Sequence, residues 1–100
     1  MTPTYSLTGH LDSAAAPPLV KDLLRFRGQP LCIDASAVTF AGALCVQVLV
    51  ATQKQWQEDD HAFQIAPLSS GLANAARGLG VPLSTIGAHD ADVQEMEVGA

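Results

Sequence analysis

The chain has 100 residues, 48% of them apolar and 15% charged, with 5 basic against 10 acidic side chains and a formal net charge of −5. That length fits one domain with one core, and the charge excludes the clustered basic face that nucleic acid or anionic lipid requires. So few charges on so small a protein predict some exposed apolar surface, a common mark of a binding face.

The N-terminus MTPTYSLTGHLD has neither a basic region nor a long apolar run, and no segment reaches the roughly 18 apolar residues of a membrane span. A cytoplasmic protein is expected. Cys32 and Cys45 both lie in apolar runs and read as buried, reduced thiols rather than a disulfide.

Tyr5 to Thr8 alternates apolar and polar side chains and predicts a strand that Gly9 breaks. Asp12-Ser13 supplies a helix-start signal. Pro17 and Pro18 fit only a first turn, which puts the helix start near Ala15 or Ala16. Leu19, Leu23 and Phe26, with Val20 and Leu24 beside them, predict a core-facing stripe, and Lys21, Asp22 and Arg25 a wet side. Gly28 and Pro30 stop that helix.

Leu31 to Ile33 reads as a short strand apolar on consecutive residues, as a strand covered on both faces would be. Asp34-Ala35-Ser36 is expected to leave it in a polar turn that also holds Val38 and Phe40. Ala41 to Trp56 is too long for an ordinary strand and predicts a helix, with Cys45, Val48, Leu49, Thr52 and Trp56 on one stripe. Its first half is apolar almost all round, so that half should be buried or carry an interface. Its second half, QKQWQEDD, reads as solvated.

Asp59-Asp60 makes a turn, Ala62 to Ile65 a third strand, and Pro67 its end. Ser69 caps a third helix with Leu72, Ala75, Ala76 and Leu79 as its stripe. Gly80 and Pro82 close it. Leu83 to Ile86 reads as a last short strand. The whole chain, 1–100, is expected to form a single domain with a core over about 5–87 and an acidic, loose tail over about 88–100. Strands alternating with helices argue for an α/β fold with a mostly parallel sheet.

Candidate chemistry is sparse. Asp34 at a strand end could assist a phosphoryl site, but capping its own turn through the Ser36 or Ala37 amide is the simpler role. Ser36 and Thr39 are nearby hydroxyls that could take phosphate, against which stands local turn bonding. His10, His61 and His89 with Cys32 and Cys45 show no ligand spacing, so no metal is expected. Gly71, Gly78 and Gly80 do not read as a phosphate loop between a strand and a helix start. With no nucleophile, base and acid in a recognisable arrangement, neither enzyme activity nor a cofactor is expected. Phe40, Ala41, Gly42, Ala43, Leu44 and Gln47 remain as a small-residue, apolar lip where a partner could dock.

Gly9-His10-Leu11-Asp12, then Ala16 and Leu19, then Leu31-Cys32-Ile33-Asp34-Ala35-Ser36-Ala37-Val38 resembles the STAS domain, whose members carry G-x-L-D before the first helix and D-x-S-x-V after a central strand. The resemblance covers about residues 5–87. It implies a sheet of about four mostly parallel strands packed against three or four helices. It also implies a protein-binding module of bacterial signal transduction and transcription control, the anti-sigma factor antagonists. In phosphorylated antagonists the long helix opens with a pattern like D-S-S-G, whose second serine takes phosphate from a kinase-type anti-sigma factor. Here those positions are Gly42, Ala43, Leu44 and Cys45. The acceptor position is therefore Leu44, which has no hydroxyl and cannot be phosphorylated.

The resemblance thus implies a partner surface of Asp34, Ser36, Thr39, Phe40, Ala41, Gly42, Ala43, Leu44 and Gln47 for an anti-sigma factor or signalling kinase, without the family's switch. Two other roles suit such a chain: a component of a chemotaxis cluster, and the small cytosolic STAS subunit of a lipid-transport ABC system, which binds the ATPase. Nucleotide binding is a third and weaker reading. Many relatives carry a strand before the one at Tyr5. Its absence here is expected to leave an unpaired sheet edge, open to a partner or to a homodimer.

Overall fold

The structure, a computed structural model, describes residues 2–94. Strand β1 (Thr4–Leu11) leads through a 3-10 turn at Ser13–Ala15 into helix α1 (Ala16–Leu24). Strand β2 (Leu31–Ala41) is followed by helix α2 (Ala43–Glu58), and strand β3 (Phe63–Ser69) by helix α3 (Ser70–Gly78). Two further 3-10 turns, Leu83–Ile86 and Asp90–Asp92, precede a two-residue strand β4 (Val93–Gln94). The four strands form one sheet in the order β1-β2-β3-β4, every neighbouring pair parallel. A parallel sheet fed by crossover helices is what the alternating pattern predicts.

The sheet has one packed face and one open face. Register sets Thr4 beside Cys32 and Cys32 beside Gln64, and Ser6 beside Asp34. Thr4, Ser6, Thr8, His10 and Gln64 are exposed, with Cys32 and Asp34 half-buried. The alternate positions Leu7, Leu11, Leu31, Ile33, Ala35, Phe63 and Ile65 are all buried in one cluster with the helices. The expectation that the Leu31 strand is covered on both faces is therefore corrected. Its apolar run arises because Cys32 is tolerated on the open side, where its thiol meets the Ala66 carbonyl at 3.6 Å.

The strands run longer than their sequence signals. Gly9 does not end β1: its φ of +85° sits beside a register irregularity, and pairing resumes at His10. β2 does not leave at Asp34 but continues to Ala41. It does so with an extra residue between the pairs Ser6–Asp34 and Thr8–Ala37, and another between Gly9–Val38 and His10–Phe40. Such bulges break the period of two that makes a strand readable. Pro67 lies inside β3, where the register to β2 shifts between Ile65 and Leu68. In that irregular stretch its missing N–H forfeits no regular ladder bond.

The helices hold the remaining corrections. On α1, Leu19 and Leu23 are buried, while Val20 and Leu24 are exposed. Asp22, assigned to the wet side, is half-buried and accepts a 2.9 Å hydrogen bond from the Tyr5 hydroxyl. On α2 the buried stripe is Cys45, Val46, Leu49, Thr52 and Trp56, so Val46 stands where Val48 was expected. Trp56 is 2% exposed, its indole N–H donating to the Gln29 carbonyl at 2.8 Å, so the second half of that helix is not simply solvated. On α3, Ala73 is buried and Leu79 exposed.

Leu83 to Ile86 is a 3-10 turn rather than a strand, because three-residue spacing brings Leu83 and Ile86 to one side of such a turn, where both are buried. The stretch expected to be a loose tail packs on the fold as far as it is described. Ala88 is buried, Arg77 bonds Asp90 at 2.7 Å, and β4 pairs with Leu68 and Ser69. The rest of that stretch lies outside the described residues. No helix among them is long and apolar enough to cross a membrane.

Candidate functional site

The end of β2 delivers the chain into α2 through Gly42, and this junction carries the candidate surface. Gly42 is the N-cap of α2 in an extended conformation, and no side chain caps the helix. Its amide is tied to the Leu11 carbonyl at 2.8 Å and its carbonyl accepts from Val46 at 3.1 Å. The junction is thus anchored by backbone to the end of β1 while the first-turn amides of α2 have no side-chain acceptor.

Around that anchor lie the exposed apolar groups. Phe40 is 44% and Leu44 51% exposed. His10, across from Phe40 in the register, stacks on its ring with centroids 4.7 Å apart and planes at 20°. Ala43 and Gln47 are exposed on α2 beside Leu44. Ala41 differs: it is 2% exposed, so its side chain belongs to the core rather than to a contact surface. Cys45 is also buried, its thiol reaching the Asp12 carbonyl at 3.4 Å, and burial followed by the nearby Asp12 charge pushes its pKa up. An unreactive, packed thiol fits that environment.

Asp34 and Ser36 belong to a different place. Ser36 donates twice to one Asp34 carboxylate oxygen, from its hydroxyl at 2.7 Å and from its amide at 3.0 Å. Those bonds hold the Asp34 carboxyl below its ordinary pKa. The acid therefore caps its own chain. Asp34 stands beside Ser6 and Phe40 beside His10, which separates the two by roughly 15–20 Å along the strand. The structure gathers Phe40, Gly42, Ala43, Leu44 and Gln47 into one lip and leaves Asp34 and Ser36 out of it.

Thr39 is exposed and borders a cavity of about 420 Å³ lined in part by Ser36, Val38, Thr39, Ser69, Ser70 and Gly71. Gly71 lies inside the first turn of α3, immediately after β3, and not in a loop before the helix. Its role is close approach. A Cβ there would collide with the Thr39 carbonyl, and only glycine lets α3 pack this tightly on the β2 backbone. The Ser69 hydroxyl caps α3 by accepting from the Leu72 amide at 3.1 Å.

Two parts of this geometry are missed by sequence reasoning. The His10–Phe40 stack depends on register across a bulge, which leaves no local signal. The Gly71 contact had a signal, the run Ser69-Ser70-Gly71 after an apolar strand. Among the described residues no three His, Cys, Asp or Glu side chains converge to hold a metal ion.

A family model described as "Mlab, STAS domain" matches residues 2–82. No curated protein and no solved structure matches at a significant level. The matched stretch spans β1 to the end of α3 and includes the whole β2–α2 junction. With most of its length matched and a four-stranded parallel sheet backed by three helices, the chain belongs to the STAS domain family.

Proposed function

We propose that this chain is an anti-sigma factor antagonist-like binding module that docks a kinase-type anti-sigma factor or a related signalling regulator through the β2–α2 lip. It acts by binding, not by catalysis. The observation that carries the reading is the pair of large apolar side chains, Phe40 and Leu44, exposed on either side of the uncapped start of α2. Neither is needed to close the core, and aromatic and aliphatic groups of this kind supply most of the energy of protein contacts. Leu44 has no oxygen nucleophile, so the module is constitutively competent where phosphorylated relatives are switched. Capture from native lysate, with bound proteins and bait phosphate identified by mass spectrometry, tests the partner class. Phe40→Ala and Leu44→Asp are expected to abolish capture of a folded bait. Unchanged capture by both would mean the surface lies elsewhere.

A second reading, the small STAS subunit of a lipid-transport ABC system, is favoured by the same Leu44. A permanent subunit needs no phosphorylation switch, and an apolar side chain at that position suits an interface that stays closed. Co-purification with an ATPase instead of a kinase decides for it. Phosphate on Ser36 or Thr39 of the bait would instead show a switch at a new position.

A further inference from the structure

The two edges of the sheet differ. Beyond β3, the Gly87 carbonyl accepts from the Ile65 amide at 2.9 Å, and among the described residues β4 pairs with Leu68 and Ser69. That edge is therefore occupied along much of its length. β1 is the other edge, and among the described residues nothing pairs with its outer side. It is eight residues long and carries no Lys, Arg, Asp, Glu or Pro. These are the residues with which edge strands are usually protected from pairing.

We propose that β1 is the pairing edge of a two-fold symmetric dimer, in which Thr4–Thr8 lies antiparallel to the same segment of a second copy and joins the two sheets into one. The strand is complementary to itself. Pairing centred on Ser6 sets Ser6 against its own copy and Thr4 against Thr8, a ladder of hydroxyls on the open face, and sets Tyr5 against Leu7 on the packed face. Hydroxyl pairs and aromatic–aliphatic pairs are favourable cross-strand neighbours, and no charge meets its like. The Gly9 backbone, at φ +85°, ends the regular segment there. A second copy is the occupant because β1 against β1 uses the long edge of both chains and closes the assembly. Pairing β1 with β4 of another copy would engage two of the described residues and would be head-to-tail, leaving an open chain of subunits rather than a closed dimer. This proposal does not rest on the docking role of the lip: His10, Phe40 and Leu44 lie beyond the paired segment.

Sedimentation equilibrium from about 1 µM to about 1 mM tests it on the intact chain. The native protein is expected to approach twice its 10.4 kDa mass. Ser6→Lys, at an exposed position, is expected to weaken the dimer at least about tenfold by placing like charges against each other. A native chain that stays monomeric throughout overturns the proposal, as does a dimer that Ser6→Lys leaves unchanged. If circular dichroism shows that Ser6→Lys disturbs the fold, Ser6→Cys decides. Mild oxidation with oxidised glutathione is expected to link two copies in high yield through this one position, with the native chain as control, and failure to cross-link refutes the pairing. A chain that is monomeric alone and binds a foreign extended peptide along β1 also overturns the proposal, in favour of strand donation by a different partner.

Discussion

Each end of α2 carries a large apolar side chain, and the two are put to opposite uses. At its C-terminal end Trp56 is closed in by Gln29 and Phe63, its ring 5.8 Å from the phenylalanine. Thr52, one turn earlier, buries its hydroxyl by donating to the Val48 carbonyl at 2.7 Å. At the N-terminal end Leu44 and Phe40 stand in solvent beside an N-cap without a side-chain acceptor. The difference shows that hydrophobicity along a helix does not say which end is buried. The elements around it do: the loop at Gln29 and strand β3 enclose Trp56, whereas at the other end the turn after β1 covers the Cys45 side of the helix and leaves the Leu44 side open.

The strongest way to break this comparison is at the closed end. Trp56→Ala is expected to cost about 3–5 kcal/mol in urea unfolding followed by circular dichroism, through the emptied site and the orphaned Gln29 carbonyl. Leu44→Ala, at the open end, should stay within about 0.5 kcal/mol of the parent while weakening partner capture. Equal losses at both ends would mean that Leu44 is a core residue and the lip is not a free surface.

Gly71→Ala sharpens the boundary of the lip. The added methyl meets the Thr39 backbone, so α3 must shift, at a cost of about 1–3 kcal/mol measured the same way. Phe40, next along β2, should then lose its stacking geometry with His10, and capture should fall with stability.

Smaller still is the pH effect at Tyr5, far from the lip. Burial, then the hydrogen bond and charge of Asp22, raise the Tyr5 pKa from 10.0 to about 12. A raised pKa favours the protonated form in the folded state, so the stabilisation is complete below about pH 10 and is lost as pH climbs toward about 12. Tyr5 is the sole tyrosine in the chain, so absorbance of the tyrosinate follows this group alone. Tyr5→Phe should remove that part of the stability profile and cost about 1 kcal/mol at neutral pH. The smallest effect is expected from Gly42→Ser, which supplies the missing side-chain acceptor and should add only a few tenths of a kcal/mol. If that variant also weakens capture, the bare first turn of α2 is itself part of the contact.

The order of strands and helices was legible because helix punctuation is local. Pro17-Pro18, Ser69 and Gly80 each act on the residues beside them and mark helix ends, whereas α1 stops at Leu24, four residues before Gly28, and leaves Phe26 outside the helix. The lengths of β1, β2 and β3 were not legible. Their extra residues are accommodated by pairing with a neighbour, and a single strand does not reveal its partner's register. The same reason explains the site. Phe40, Ala43, Leu44 and Gln47 could be grouped because a turn and a helix start bring them together within eight positions. Asp34 and Ser36 were grouped with them on the assumption of a turn, and the continuing strand carries them away. Ala41 was placed on the surface by its sequence neighbours, whereas its position opposite Leu11 puts it in the core.

Trp56 is the chain's sole tryptophan, and its enclosure makes it an optical reporter. Its ring sits in an apolar pocket with the indole N–H engaged, so its emission should be blue-shifted in the folded chain and move red on unfolding. It lies twelve residues from Leu44 along α2, or roughly 18 Å along the helix axis. A partner seated on the lip would leave that emission almost unchanged. Fluorescence of the native protein can therefore follow unfolding during a binding titration without a label, and any red shift on adding partner would signal loss of structure rather than contact.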